Sequence, residues 1–174
     1  MSDTFITIIA IFIAAVLMLV FPLMTLADRN DEITQLTVQT ATSELVDEIR
    51  RTGKLTEDQY NNFVSSIAST GNAYDVEMQF RILDENPSKK TTQSAGATVI
   101  GENVYYSVYT TQIEQRLGED REYLLKEGDI VSVSVKNRGE TLAQTLRNVY
   151  YRVTGNDTYT IFASSAGTVT VNGK

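Results

Sequence analysis

The 174-residue chain has no cysteine, no histidine and only two prolines. Without cysteine there are no disulfides, thiolate metal clusters or thiol nucleophiles, and without histidine the commonest general base and metal ligand is gone. Most enzyme templates fail on those two absences. The sequence is accordingly read as non-enzymatic, with no catalytic residue, cofactor or metal assigned. An excess of positive charge is missing too, since 15 Lys and Arg stand against 22 Asp and Glu for a net charge of −7. Such a chain is not built to grip a phosphate backbone, so nucleic acid is not an expected partner.

Charge is missing altogether from Phe5 to Ala27, FITIIAIFIAAVLMLVFPLMTLA. At a rise of about 1.5 Å per residue, a helix of this length crosses the roughly 30 Å hydrocarbon layer of a bilayer. Three roles compete for it: a cleaved secretory signal, a plain membrane anchor, and a pilin-like helix that sits in the bilayer before assembly and in a filament core afterwards. The apolar part is too long for a signal, and Met1 to Thr4 supplies Asp3 but no basic residue, although Thr25-Leu26-Ala27 has the small-residue character of a cleavage site.

Past Asp28-Arg29-Asn30-Asp31-Glu32 the helical pattern continues, with Ile33, Leu36, Thr40, Leu45 and Ile49 recurring among polar residues. No Gly or Pro falls between Leu23 and Thr52, and Gly53 is a natural stop. These features predict one helix from about Thr4 to Thr52, a rod of roughly 70 Å, apolar all round in its first half and amphipathic in its second. Pro22 lies inside it, removes one backbone hydrogen bond and predicts a local bend.

Residues 1–53 are thus expected to form a transmembrane and assembly helix with a stalk, and residues 54–174 a globular head. Thr56-Glu57-Asp58-Gln59 reads as a capping box, and Tyr60, Phe63, Val64 and Ile67 follow as one helical stripe that ends at Gly71. Tyr74, Val76, Met78, Phe80 and Ile82 alternate with Asp75, Glu77, Gln79 and Arg81, which predicts a strand with one dry and one wet face. Asp84 to Lys90 breaks that strand, and Thr91 to Gly101 reads as a long surface loop.

Asn103 to Leu117 reads as a short strand entering a short helix. Gly118 to Glu122 reads as a solvated charge run and Lys126 to Asp129 as a turn. Val131, Val133 and Val135 predict a second strand with a valine face inward. Leu142, Leu146, Val149 and Val153 predict a helix closed by Gly155, and Tyr159 to Ala163 and Thr168 to Val171 predict two strands about a Ser164 to Gly167 turn. The fold class is α+β, with a mostly antiparallel sheet and two or three short helices carried on the long one.

The apolar start, the long rod, the LTEDQYNNFVSSIASTGNAYDVEMQF block, the KEGDIVSVSVKN strand and the ETLAQTLRNVYYRVTGNDTY segment together resemble small pilin-like membrane proteins of Gram-positive anaerobes, related to tight-adherence or type IV pilus machinery. The resemblance implies a lollipop shape, with a hydrophobic helix supporting a β-rich head. It also implies a structural role in a pilus or secretion pseudopilus, with copies of the chain, membrane lipid before assembly, and the pilus or secretion machinery as partners. The protein would be single-pass in the membrane and then part of a cell-surface filament. Arg29 is a poor topology signal beside Asp28, Asp31 and Glu32. The resemblance and a Thr, Ser, Asn and Tyr-rich composition place the head outside the cytoplasm.

The assembly residues expected on this basis are Asp3, Phe5, Ile9, Phe12, Val16, Leu19 and Pro22. Type IV prepilins carry a basic leader and then a Glu; here Phe5 follows Ser2-Asp3-Thr4 and Ile9 stands where the Glu would be. Asp3 would then be the carboxylate that neutralises a neighbour's terminal amine. The alternative is an anchored monomer whose head binds a partner or ligand.

Three other groups carry less. Asp28, Asn30, Asp31 and Glu32 have calcium-ligand chemistry without the required loop, so they are expected to form a solvated collar. Lys54, Ser65 and Ser66 lack any nucleophile turn. Tyr105, Tyr106, Tyr109, Tyr150 and Tyr151 are candidates either for contacts between subunits or for ordinary sheet positions.

Overall fold

The computed structural model describes residues 2–84, 105–145 and 161–173, with side chains from residue 4 onward. One α-helix, α1 (Ser2–Thr52), runs without a break for 51 residues and passes through Pro22. From Thr4 to Leu26 no residue of it is buried, because among the described residues no other part of the chain encloses it. Burial begins at Ala27 and continues along one face through Asp31, Thr34, Val38, Thr42, Leu45, Val46 and Ile49.

That face corrects the expected stripe in part. Leu45 and Ile49 are buried, but Ile33, Leu36 and Thr40 are exposed. At 3.6 residues per turn these three lie on the side of the rod opposite Ala27, Asp31, Thr34 and Val38. After Ala27 the head-facing stripe carries the polar side chains of Asp31, Thr34 and Thr42, so a search for apolar periodicity selects the other side. One of them, Thr42, returns its hydroxyl to the Val38 carbonyl at 2.7 Å and is buried without an unmade bond.

The rod stops at Gly53, whose φ of +70° is left-handed and whose N–H donates to the Ile49 carbonyl at 2.8 Å. A Cβ there would run into the backbone of Val171 to Gly173. The chain then forms β1 (Lys54–Thr56) and α2 (Glu57–Ala68). The predicted capping box is present: the Gln59 N–H donates to the Thr56 hydroxyl at 3.2 Å, and the Thr56 N–H donates to the Gln59 side chain at 2.8 Å. Phe63 and Ile67 are buried against the rod side, with Tyr60 and Val64 half-buried beside them.

Next come β2 (Tyr74–Leu83), β3 (Tyr105–Tyr109), α3 (Thr110–Asp120), β4 (Glu122–Leu124), β5 (Ile130–Asn137) and β6 (Phe162–Thr168). The described strands form a four-stranded sheet in the order β3-β2-β5-β6 and a two-stranded ribbon of β1 with β4, and every pairing is antiparallel. The architecture is therefore α+β, with a long apolar N-terminal helix followed by a small sheet head. In the main sheet Met78 stands opposite Val133, Phe80 opposite Val131, and Ala163 opposite Val135. Residues directly opposite share a face, so these side chains make one dry surface, closed by Val38, Leu45, Val46 and Ile49 of the rod.

The last strand is built to let the rod come close. On β6 the inward positions are Ala163, Ser165 and Gly167, set opposite Val135, Val133 and Val131. The Arg50 side chain lies where any Cβ on Gly167 would sit. This replaces the expected pair of strands around a turn: Ser164 to Gly167 is the middle of β6, and residues beyond Thr168 are not in a strand.

The charge run is solvated as expected, with Gly118 to Arg121 exposed, but it is structured: Gly118 to Asp120 finish α3, Arg121 caps it at φ +62°, and Glu122 opens β4. Leu142, expected in a buried stripe, is 63% exposed at the start of a helical turn over 142–145. The Thr91–Gly101 loop, the remaining stripe positions Leu146, Val149 and Val153, Gly155, and Tyr150 and Tyr151 lie outside the described residues.

Val133 is fully buried, whereas Ser134 points to the opposite, wetter face. Val133→Asp is expected to cost about 3 to 5 kcal/mol by burying an unpaired charge, and Ser134→Asp less than about 1 kcal/mol. Thermal melts of the two variants in detergent check this, and equal shifts would contradict the assigned faces.

Candidate assembly surface

Of the residues expected to assemble, Phe5, Ile9, Phe12, Val16, Leu19 and Pro22 are all exposed. The side chain of Asp3 lies outside the described structure. Phe5, Phe12 and Leu19 repeat at seven-residue spacing and are 66%, 69% and 72% exposed. The repeat does not end with the membrane-length run: Leu26 and Ile33 continue it at 65% and 60%, and Leu36 lies one turn beyond Ile33 at 66%. These three were missed as assembly residues in the sequence. The signal that identifies them is the same spacing carried across the charged collar.

Ile33 and Leu36 matter because of where they stand. The opposite side of the rod at this height is occupied by the head, through Asp31, Thr34 and Val38. A single chain therefore presents two large aliphatic side chains to its surroundings on the free side of the stalk, beyond Asp28 and Asp31.

The head is held to the other side by polar contacts at three heights. Lowest, the Thr141 hydroxyl donates to the buried Asp31 carboxylate at 2.7 Å. Thr141 also caps the helical turn that follows, accepting from the Gln144 N–H at 3.2 Å while its own N–H donates to the Gln144 side chain at 3.0 Å. Higher up, the Gln35 amide binds both backbone groups of Phe162 on β6, donating to its carbonyl at 2.7 Å and accepting from its N–H at 3.1 Å. At the top, Arg50 donates from Nε to the Thr168 carbonyl at 3.0 Å, and its own carbonyl accepts from the Thr170 N–H at 3.0 Å. Gln35 and Arg50 thus engage the outer edge of β6 at both ends.

The acidic collar is therefore not uniformly solvated as expected. Asn30 and Glu32 are exposed and Asp28 half-buried, but Asp31 is only 3% exposed. Among the described residues no three Asp, Glu, His or Cys side chains converge as a metal site requires. Lys54 pairs with Glu122 at 3.6 Å across the β1–β4 ribbon, while Ser65 and Ser66 are exposed on α2. Tyr106 and Tyr109 are exposed, and Tyr105 is half-buried with the Arg81 guanidinium 5.0 Å from its ring centre.

The displaced pKa values belong to the packing of the head. Burial pushes the Tyr60 phenol up, and its hydrogen bond to Glu114 and that residue's charge add to the effect. Burial also raises Tyr123, against the opposing charge of Arg116. Comparison with known protein families, curated proteins and solved structures returns no match to this chain.

Removal of the Gln35 amide should free one end of β6. Gln35→Ala is expected to cost about 1 to 2 kcal/mol and to speed hydrogen exchange at the Phe162 amide more than at Val133. Uniform exchange across both positions would show that Gln35 does not secure the strand.

Proposed function

We propose that the chain is a structural subunit of a type IV-like or tight-adherence-like pilus or secretion pseudopilus, assembling through its N-terminal helix. The observation that carries this reading is the exposure of Ile33 and Leu36 on the free side of the stalk. A membrane anchor needs apolar side chains only as far as Ala27, and beyond that each exposed aliphatic residue stands unfavourably in water. A bundle of like helices covers them. The seven-residue repeat from Phe5 to Ile33 supports the same packing, since a strict heptad stripe leads helices to wrap around one another.

In this reading the protein is first a single-pass membrane protein, with Phe5 to Ala27 in lipid and the head on the extracytoplasmic side. It then passes into a surface filament through the pilus or secretion machinery. Its role is structural, without catalysis and without nucleic acid. The competing reading, an anchored monomer that presents its head to a partner, draws on the sufficiency of Phe5 to Ala27 as a span.

Electron microscopy of material sheared from expressing cells separates the two. The double variant Ile33→Asp, Leu36→Asp is expected to keep membrane retention and head stability, because both positions are exposed in the single chain, but to abolish filaments. Normal filaments from it would remove Ile33 and Leu36 from the packing surface, and none from the unaltered chain at high expression would favour the anchored monomer.

Asp3 supplies a separate test. In an assembled bundle a free amine at Met1 would enter a region of low dielectric, and the nearest acidic residue in the sequence is Asp3. Asp3→Ala is expected to leave the membrane-bound amount unchanged and to reduce filament yield severely; unchanged yield would remove that pairing.

A further inference from the structure

Where the head meets the rod there is a cavity of about 380 Å³, bounded by α1, the turn after α2 and the segment after β5. Its lower wall is apolar, made by Leu23 and Leu26 of the membrane-length run and by Leu142 of the head. Its upper wall is polar, made by Asn30, Asp31, Thr70 and Asn72. No Lys or Arg lines it among the described residues, and its charge comes from Asp31. That carboxylate is almost wholly withdrawn from bulk water, and among the described residues the Thr141 hydroxyl is its one hydrogen-bond donor. Among the described residues a carboxylate so placed has acceptor sites to spare and no cation beside it, an arrangement that is costly unless a positively charged donor arrives.

We infer that this cavity binds the primary ammonium of a membrane lipid headgroup. The inference rests on the proposed placement of Phe5 to Ala27 in a bilayer, which sets Leu23 and Leu26 in the outermost acyl layer and Asp31 about one to two turns above it, at headgroup height. Leu142, exposed although aliphatic, extends the apolar wall from the head side, so acyl chain meets the lower wall while the headgroup faces the upper one. Charge selects the ammonium rather than the phosphate, because Asp28, Asp31 and Glu32 outnumber Arg29 in this stretch and Asp31 is the charge on the cavity wall. Hydrogen bonding selects a primary amine, because ammonium donates three N–H groups whereas a quaternary choline donates none. The lipid would steady the head over the membrane by completing the partners of the residue through which the lowest polar contact between rod and head is made.

The test uses the full chain reconstituted in vesicles of phosphatidylethanolamine with phosphatidylglycerol, and in matched vesicles with phosphatidylcholine in place of the ethanolamine lipid. Lipid retained after gentle solubilisation is identified by native mass spectrometry. The expected result is retention of phosphatidylethanolamine over phosphatidylcholine by about tenfold, the scale of one charge-assisted hydrogen-bonded contact. Asp31→Asn, which can still accept from Thr141, should abolish the preference. Glu48→Gln, elsewhere on the rod, should keep it.

Entry into both vesicle types without headgroup preference would overturn the site and leave the membrane placement standing. Failure to enter either would overturn both. Asp31-dependent dimers in vesicles without a primary amine would assign the cavity to a second copy of the chain and also overturn the lipid.

Discussion

Val38, Leu45, Val46 and Ile49 have almost no contact with water, and they belong to the same unbroken helix whose first half has no buried residue among those described before Ala27. The rod is therefore a wall of the head's core as well as its support. Its four aliphatic side chains close the dry face that β2, β5 and β6 present, and burial of each contributes about 1.5 to 3 kcal/mol. Without the rod the valine face of β5 would lose its cover and be opened to water. What happens to the first half of the helix is thus coupled, through a stiff element, to the packing of everything after it.

The closeness of that contact explains which parts of the fold were legible in the sequence. The capped helix α2 and the strands β2 and β5 announce themselves locally, through a capping box or a strict alternation that one face of a sheet demands. β6 does not, since Phe162-Ala163-Ser164-Ser165-Ala166-Gly167-Thr168 has small residues where the rod lies along it. Small residues out of context read as a turn, and only the approaching helix makes them a strand. The ribbon of β1 with β4 is three residues on each side and has too little length to show a period.

The candidate surface was legible in half. Composition identifies Phe5 to Leu19 because nothing there is charged and only Thr7 is polar. On the stalk, composition misleads: Asp31 and Thr34 are turned inward while Ile33 and Leu36 are turned outward, so polarity and burial are exchanged over two turns. The inward polar group is explained by its partner, Thr141, more than a hundred residues later in the chain. The outward aliphatic pair has no cover within the described chain, and on this asymmetry the proposed bundle of copies rests.

The pairing of Gln35 with Phe162 and of Arg50 with Thr168 also sets how the molecule would bear load. Fifteen helical residues span about 22 Å and six strand residues about 20 Å, so rod and β6 run side by side in the same direction with matched lengths. Tension along the helix axis is then shared at once between the Gln35 contacts at the lower end and the Arg50 contacts at the upper end, while the buried aliphatic face between them resists sliding. Bonds loaded together in shear must fail together, whereas bonds loaded one after another can be unzipped singly. The head is attached in the mechanically stronger of those two ways.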